Sequence, residues 1–474
     1  MATSTHSSDN PQPKRGMLAA LASALLPGLG QAYAGRRLVG RWLLVADAVI
    51  VGLVLLFLFF LRSAVLKIWV SSGALALLMV VNLAILAYRW LAAEDAYFSV
   101  PESSTPKWLT GLGIAAVGVA LVVPHLSFGY LIVVQASLID TVFSSEPAAA
   151  DDPSGAPGVI TSTASPDQTT TTTDPTLWDG LDRLNLLLLG ADAGEGRRGL
   201  RTDTTIVVSI DPSTGNTAMF SVPRDLSDVP LPEGMGMWDC HCFPGLIANL
   251  YQAGVQNPED FPGPNDPPIN AIKGAVGEMF GIPIHYYALV TLDGFVDVVD
   301  ALGGVTIEIP KTIFDDTYPH EDGSIESIEI KEGTRHLDGH EALAYVRIRR
   351  NSDDFNRMNR QRCVLEAVLE QSSPTEILFR FGAIAEALKR SLETDIPQER
   401  LADFIDLLPV ISTDRIATLR ITRAEYKTGS SPDRTYYDID RIREDAQALM
   451  ANPEIAQVEL GLGDLDDTCG FGEN

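Results

Sequence analysis

The sequence predicts a mixed α/β domain with a central sheet flanked by helices, preceded by an α-helical multi-span membrane region. Three observations carry this expectation. The first third contains long, nearly uncharged apolar runs. The remainder alternates short β-branched runs with amphipathic segments in a repeated β-α-β order. Charge divides at the same place: residues 1–140 hold nine Lys and Arg against six Asp and Glu, and residues 141–474 hold 26 against 56, so the net charge of −27 belongs to the second part. A domain this acidic does not bind nucleic acid non-specifically, which makes its arginine clusters informative.

Residues 1–16 read as a cytoplasmic tail and residues 17–136 as the membrane region. The runs 42–61, 68–88 and 108–135 are apolar for the length of a ~30 Å hydrocarbon core or longer, which gives three spans. Residues 17–35 are long enough for another, but Pro27-Gly28-Leu29-Gly30-Gln31 breaks a helix, so a re-entrant or interfacial hairpin stands beside a span. Lys14, Arg15, Arg36, Arg37 and Arg41 flank this segment on both sides and place both its ends in the cytoplasm if it does not cross. The chain then crosses out, in and out, and everything after about residue 136 is extracellular. Arg62 and Lys67, in the short outer loop, run against that bias. The apolar segments act as uncleaved anchors, since no cleavable signal pattern precedes them. No acidic–basic pair lies mid-span, Asp47 near one end aside, so the spans do not read as a transport path.

Residues 137–180 form a stalk rich in Ser, Thr and Pro, with the run 169–173 all threonine; such a composition buries no core and is expected to be disordered. The domain proper spans 181–455. Residues 186–191 are a continuous apolar run suited to a strand buried on both faces, ending in Asp192 and a glycine-rich basic loop. Arg201-Thr202-Asp203-Thr204 opens a second run through Ile210, and the turn 211–216 leads into a third, 217–222. Asp192, Arg201, Asp203 and Arg224 sit at strand ends, where sites on sheet scaffolds gather; singly, each reads equally as a turn former or ion-pair partner. Residues 269–280 read as a helix closed by Gly281, 284–290 as a strand, 292–302 as a helix closed by Gly303-Gly304, and 305–309 as a strand. Residues 311–333 read as a long acidic loop.

The stretch 341–361 holds five arginines and a glutamine. The apolar, aromatic and β-branched mix of 342–348 predicts a strand, in which Arg347 and Arg349 share a face. Residues 355–369 predict an amphipathic helix with Arg357, Arg360 and Gln361 at i, i+3 and i+4. Arginine is permanently charged and fork-shaped, so clustering it in an ordered site suits a dense anion such as a pyrophosphate; a solvated face with surface ion pairs is the competing reading. Residues 375–450 bring further helices around a strand at 416–421, and 456–474 are an acidic tail. Cys240, Cys242, Cys363 and Cys469 lie in the exported part, where disulfides form. Cys240-His241-Cys242 offers too few ligands for a closed zinc site and reads as oxidised or unpaired thiols. Gly339 between His336 and His340 argues against a two-histidine metal face, and His285 reads as a core or tunnel-wall residue.

Six stretches, in order, resemble the LytR-CpsA-Psr family of cell-wall glycopolymer ligases: NLLLLGAD (185–192), RTDT (201–204), SVPRD (221–225), IPIHYYALVTLDGFVDVVDALGGV (282–305), LDGHEALAYVRIR (337–349) and FNRMNRQ (355–361). The resemblance implies an apolar lipid tunnel between the sheet and its covering helices. It implies transfer of a wall glycopolymer from a polyprenyl-pyrophosphate carrier to a peptidoglycan hydroxyl, forming a phosphodiester, with pyrophosphatase activity as a side reaction. Carried over by residue, Asp192 and Asp203 would hold Mg²⁺ (or Mn²⁺). Arg201, Arg224, Arg347, Arg349, Arg357, Arg360 and Gln361 would bind the pyrophosphate, with Asp203, Arg224, Arg347 and Arg349 as the catalytic set. Asp203, Asp353 and Asp354 are the candidates for general base. Two departures stand out. The family's K-I-N-x-A-Y stretch matches Leu246-Ile247-Ala248-Asn249-Leu250-Tyr251, which lacks the lysine, and the extra spans differ from the family's usual single anchor. The alternatives are a non-catalytic membrane regulator or scaffold that binds polyprenyl pyrophosphates, and a lipid pyrophosphatase in which water replaces the acceptor. The acidic, Ala- and Arg-favouring composition suits a high-GC bacterium such as an actinobacterium, with an arabinogalactan-like or other wall polysaccharide.

Overall fold

A computed structural model describes residues 16–60, 62–100, 107–143, 178, 181–192, 201–236, 238–319, 324–348, 354–371, 374–407, 410–411 and 416–452. They fall into two compact units, 1–137 and 138–474.

The first unit is helical. It comprises α1 (Gly16–Leu25), α2 (Leu29–Ala34), α3 (Arg37–Phe60), α4 (Arg62–Trp69), α5 (Ser72–Phe98) and α6 (Lys107–Val142), the last continuing past residue 136. Among the described residues, three segments are long and apolar enough to cross a membrane: Arg37–Leu56, Ser72–Phe98 and Thr110–Val142. The second lies later than its apolar run suggests, because Ile68 and Trp69 close α4. The Pro27-Gly28 break is real: Gly28 has φ +105° and separates α1 from α2. A polar lock holds α2 on α5. Gln31, fully buried, accepts from Ser23 Oγ (2.6 Å) and donates to Ala92 O (2.8 Å) and Asp95 Oδ2 (3.2 Å), while Arg36 pairs with Asp95 at 2.7 Å. Buried amides away from water need such partners.

The second unit is built on a sheet. In chain order it contains β1 (Leu184–Asp192), β2 (Arg201–Ile210), β3 (Thr217–Val222), β4 (Ser227–Pro230), β5 (Cys242–Leu246), α7 (Leu250–Gln256), α8 (Pro267–Phe280), β6 (Tyr286–Thr291), α9 (Leu292–Leu302), β7 (Val305–Ile309), β8 (Ile313–Pro319), β9 (Ile325–Ile330) and β10 (Gly333–Leu337). There follow α10 (Gly339–Arg347), α11 (Asp354–Gln371), α12 (Pro374–Ser391), β11 (Leu392–Thr394), α13 (Leu401–Leu407), β12 (Ile416–Arg420), α14 (Arg423–Tyr426), β13 (Lys427–Ser431), β14 (Arg434–Tyr437) and α15 (Ile439–Ala451). Six strands make the main sheet in the order β11-β6-β1-β2-β3-β12. The pairings make β6, β1, β3 and β12 run one way and β11 and β2 the other, so the C-terminal ends of four strands and the start of β2 share one edge.

Alternation assigns the two faces of this sheet. Leu187, Leu189, Val207, Phe220, Leu289 and Leu419 point into the main core, against α7, α8 and α15. There Phe220 stacks on Phe280 with centroids 4.9 Å apart. From α8 alone, Ile269, Ile272, Val276, Met279 and Phe280 are buried, each worth roughly 1.5–3 kcal/mol of transfer free energy. On the opposite face Leu186, Leu188 and Val208 are only partly covered. A second core joins α9, β7, β10, α10 and α11 through Val299, Ile307, Tyr345, Ile348 and Val364.

Two expectations are corrected. Residues 342–347 are helix, not strand, with Ile348 the C-cap: Asp338 caps α10 by accepting from Glu341 N (2.8 Å), and Glu341 Oε2 accepts in return from Asp338 N (3.2 Å). That capping box makes an apolar run helical despite its β-branched residues. The acidic stretch 311–333 is not a plain loop but carries the antiparallel pair β8–β9.

Candidate functional site

Side chains predicted to carry chemistry gather at two places. The first is the shared sheet edge. Asp192 is the last residue of β1 and is paired in register with Arg201, the first of β2. The ladder then skips Asp203, because Ala191 pairs with Thr202 and Gly190 with Thr204. Asp203 therefore stands unpaired in this ladder, at a bulge. Beyond the end of β3, Arg224 sits in a turn closed by Leu226 N donating to Pro223 O (3.1 Å). Arg224 Nη1 donates to Asp203 Oδ1 at 2.7 Å, with the two side chains 30% and 28% exposed. Arg201 is exposed. The stretch that lacks the lysine lies alongside: Leu246 pairs with Ser227, and Ala248 N donates to Arg224 O (3.4 Å).

The second place is the junction of α10 and α11. Arg347 ends α10 with its guanidinium 5.8 Å from the centroid of the Tyr318 ring. On α11, Arg357 and Arg360 are each only 3% exposed, and Gln361 is partly exposed. Arg360 lies 5.7 Å from the Tyr345 ring centroid and donates to Ile348 O, the C-cap carbonyl of α10. Burial pushes the Tyr345 hydroxyl up to about 12, against the opposing Arg360 charge. The i, i+3 spacing therefore does place both arginines on one face, and that face points inward. Arg349 and Asp353 lie outside the described residues, and of Asp354 only its helical position is described. Helix α9 links the two places: its N-cap is Thr291, the register partner of Ala191, and it packs on α10, where Asp300 Oδ1 accepts from Gly339 N (2.7 Å).

At the first place the Asp203 carboxylate is a hard oxygen donor of the kind Mg²⁺ takes, and of Asp192 only its place at the end of β1 is described. No group of three or more His, Cys, Asp or Glu side chains converges among the described residues. The remaining candidates settle as structure. Cys240 and Cys242 form a disulfide, which rules out a thiolate metal site, and Cys363 is also disulfide-bonded. His336 contacts Thr306 and Gly303 from β10, whereas His340 contacts Glu326 from α10. His285 Nδ1 accepts from Asn185 N (2.9 Å) at the opposite end of β1 from Asp192. Beside it Lys273 and Asp395 form a buried ion pair at 2.7 Å.

Sequence reasoning missed the C-terminal contribution to the edge. Because β12 runs parallel to β3 with Arg420 opposite Ser221, Arg420 and Arg423 arrive beside the Arg224 turn. No local pattern signals a pairing across about two hundred residues; only the parallel register shows it.

The profile of the LytR_cpsA_psr family matches residues 158–449. A polyisoprenyl-teichoic acid–peptidoglycan teichoic acid transferase, TagU of Oceanobacillus iheyensis, is 31% identical over 227 residues, 48% of this chain and 62% of that protein. TagV of Bacillus subtilis, also a polyisoprenyl-teichoic acid–peptidoglycan teichoic acid transferase, is 30% identical over 260 residues, 53% and 59% of the two chains. The chain thus spans about three-fifths of these relatives. The crystal structure of B. subtilis TagV, at 27% identity, covers 57% of this chain and 98% of its own with a TM-score of 0.42.

Proposed function

Since the chain belongs to the LytR-CpsA-Psr family, we propose that it is a phosphotransferase that moves a cell-wall glycopolymer from a polyprenyl-pyrophosphate carrier to a peptidoglycan hydroxyl. One observation supports this most: the family match takes in both places at once, the sheet edge with Arg201, Asp203 and Arg224 and the α10–α11 junction with Arg347, Arg357 and Arg360. Permanently charged, fork-shaped guanidinium groups suit the oxygens of a pyrophosphate.

In this reading Arg347, Arg349, Arg357, Arg360 and Gln361 grip one part of the pyrophosphate, and Arg201 and Arg224 the other. The acceptor hydroxyl attacks the phosphorus that bears the glycan. Its bond to the bridging oxygen breaks, and polyprenyl monophosphate leaves. Arginine forks stabilise the charge that grows on the equatorial and leaving oxygens. Asp192 and Asp203 would hold Mg²⁺ (or Mn²⁺), which supplies charge neutralisation on the pyrophosphate oxygens when bound. Asp203, Asp353 or Asp354 accepts the hydroxyl proton. The partly covered Leu186, Leu188 and Val208 give the polyprenyl chain an apolar surface. Basic residues around α1 and α2 keep that end cytoplasmic, three spans follow, and the domain works outside the cell.

The test is Asp192→Ala combined with Asp203→Ala in the full-length protein, with transfer to peptidoglycan followed. Loss of transfer with a melting temperature lowered by no more than about 4 °C is expected; unaltered transfer sinks the carboxylate-dependent mechanism.

A further inference from the structure

The turn that presents Arg224 is gripped, residue by residue, by a segment two hundred positions later. Asp225 Oδ2 accepts from Arg423 Nε (3.0 Å) and from Arg423 Nη2, and its Oδ1 accepts from Tyr437 Oη (3.2 Å). Leu226 bridges to Thr435, and Ser227 Oγ accepts from Thr435 N (3.3 Å). Asp228, with φ +56°, pairs with Arg434 at 3.2 Å. The gripping residues are themselves fixed. Thr422 Oγ1 caps α14 by accepting from Glu425 N (3.3 Å), which anchors Arg423 in its first turn, and Tyr437 is buried. Burial and the Asp225 charge push the Tyr437 hydroxyl well above its ordinary value, so it stays a donor.

Two physical consequences follow. A carboxylate held by a two-pronged arginine and a tyrosine has one orientation, which fixes the backbone of the preceding residue, Arg224. Neutralised by Arg423, Asp225 also does not compete with a phosphate for the neighbouring Arg224 guanidinium. We propose that Asp225 is a positioning residue for Arg224, held by Arg423 and Tyr437, so that the segment 423–437 sets the affinity of the site for its pyrophosphate donor. This inference rests on the ligase reading above.

The experiment uses the full-length protein in detergent with a polyprenyl-pyrophosphate donor. It measures kcat, KM for the donor and the melting temperature for wild type, Arg224→Ala, Asp225→Asn, Arg423→Met and the Asp225→Asn/Arg423→Met double variant. Asp225→Asn and Arg423→Met should each raise KM about tenfold, with a fall in kcat well short of that in Arg224→Ala, as expected for a displaced rather than deleted group. The double variant should be no worse than either single one, because both act through the same pair. Arg423→Lys, which keeps the charge and loses the fork, should fall between. Unchanged KM in the single variants overturns the proposal. So does a parallel fall in kcat and in melting temperature without a rise in KM, or effects that multiply in the double variant. If the wild type turns over no donor, the ligase reading itself fails and the positioning role with it; if Arg224→Ala turns it over as the wild type does, Arg224 is not on the pyrophosphate and the positioning role falls alone. Loss in Arg224→Ala beside wild-type behaviour in Asp225→Asn removes the positioning role alone.

Discussion

Replacing Arg224 by alanine should separate stability from activity. The Arg224–Asp203 pair is short at 2.7 Å, but both side chains are close to one-third exposed. Solvent screening at that exposure limits its worth to about 0.2–1 kcal/mol. For a domain of this size that is a fall in melting temperature of roughly 2–4 °C at most. The same guanidinium is proposed to meet charge developing on the transferred phosphoryl group. Removing one such donor typically costs about 10²–10³ in rate, or about 2.7–4 kcal/mol. The assay follows polyprenyl monophosphate released from the donor, alongside a thermal melt of the same preparation. A loss of at least about a hundredfold in kcat/KM with a nearly unchanged melt is expected. Arg224→Lys should lie between the two, since a point charge replaces a fork. Activity of Arg224→Ala within about threefold of wild type, less than 1 kcal/mol, refutes the placement of Arg224 on the pyrophosphate.

Other consequences concern packing, charge burial, pH and metal. A methyl group added at Gly339 would lie 2.4 Å from Val296 O, so Gly339→Ala should push α10 off α9 and cost about 1–3 kcal/mol in denaturant unfolding; an unchanged midpoint contradicts that close packing. Lys273→Met leaves Asp395, whose side chain is 8% exposed, without its cation, and should cost about 3–5 kcal/mol by the same measurement, whereas a cost near zero means that the pair is screened. Burial and then the Lys273 charge hold His285 below its ordinary pKa, so its neutral form is the folded one. Stability should therefore fall as pH drops below about 6.5, where the unfolded chain takes up the proton, and a melting series from pH 7.5 to 5 should be flatter in His285→Gln; equal slopes exclude a contribution from His285. EDTA should stop donor turnover and Mn²⁺ restore it if Asp192 and Asp203 act through a cation; full activity in EDTA argues that arginines suffice.

Much of the fold was legible because its signals are local. The turn at 211–216, with the Asp211 carboxylate accepting from Ser213 N and Thr214 N, bounds β2 and β3 where composition placed them. Gly281 and Gly303 end α8 and α9 in left-handed backbone, as glycine after a periodic run predicts. The misreading of 342–348 came from weighing side-chain type above capping: Asp338 and Glu341 are an N-terminal helix signature that outweighs the β-branched Val346 and Ile348. Of the site, the residues on each strand end could be named, since strand ends follow from the runs. What could not be read was which ends meet. The Asp203–Arg224 contact lies at a bulge, and the grip of Arg423 and Tyr437 on Asp225 depends on β12 pairing in parallel with β3.

The most direct measurement supplies the full-length protein with a glycan-pyrophosphoryl-polyprenol donor and peptidoglycan in ¹⁸O-labelled water, then digests the wall material and weighs the products by mass spectrometry. A muropeptide carrying the glycan through a single phosphate with no ¹⁸O, together with polyprenyl monophosphate, is the predicted result. Free glycan phosphate containing ¹⁸O, with no modified muropeptide, contradicts transfer and identifies a lipid pyrophosphatase instead.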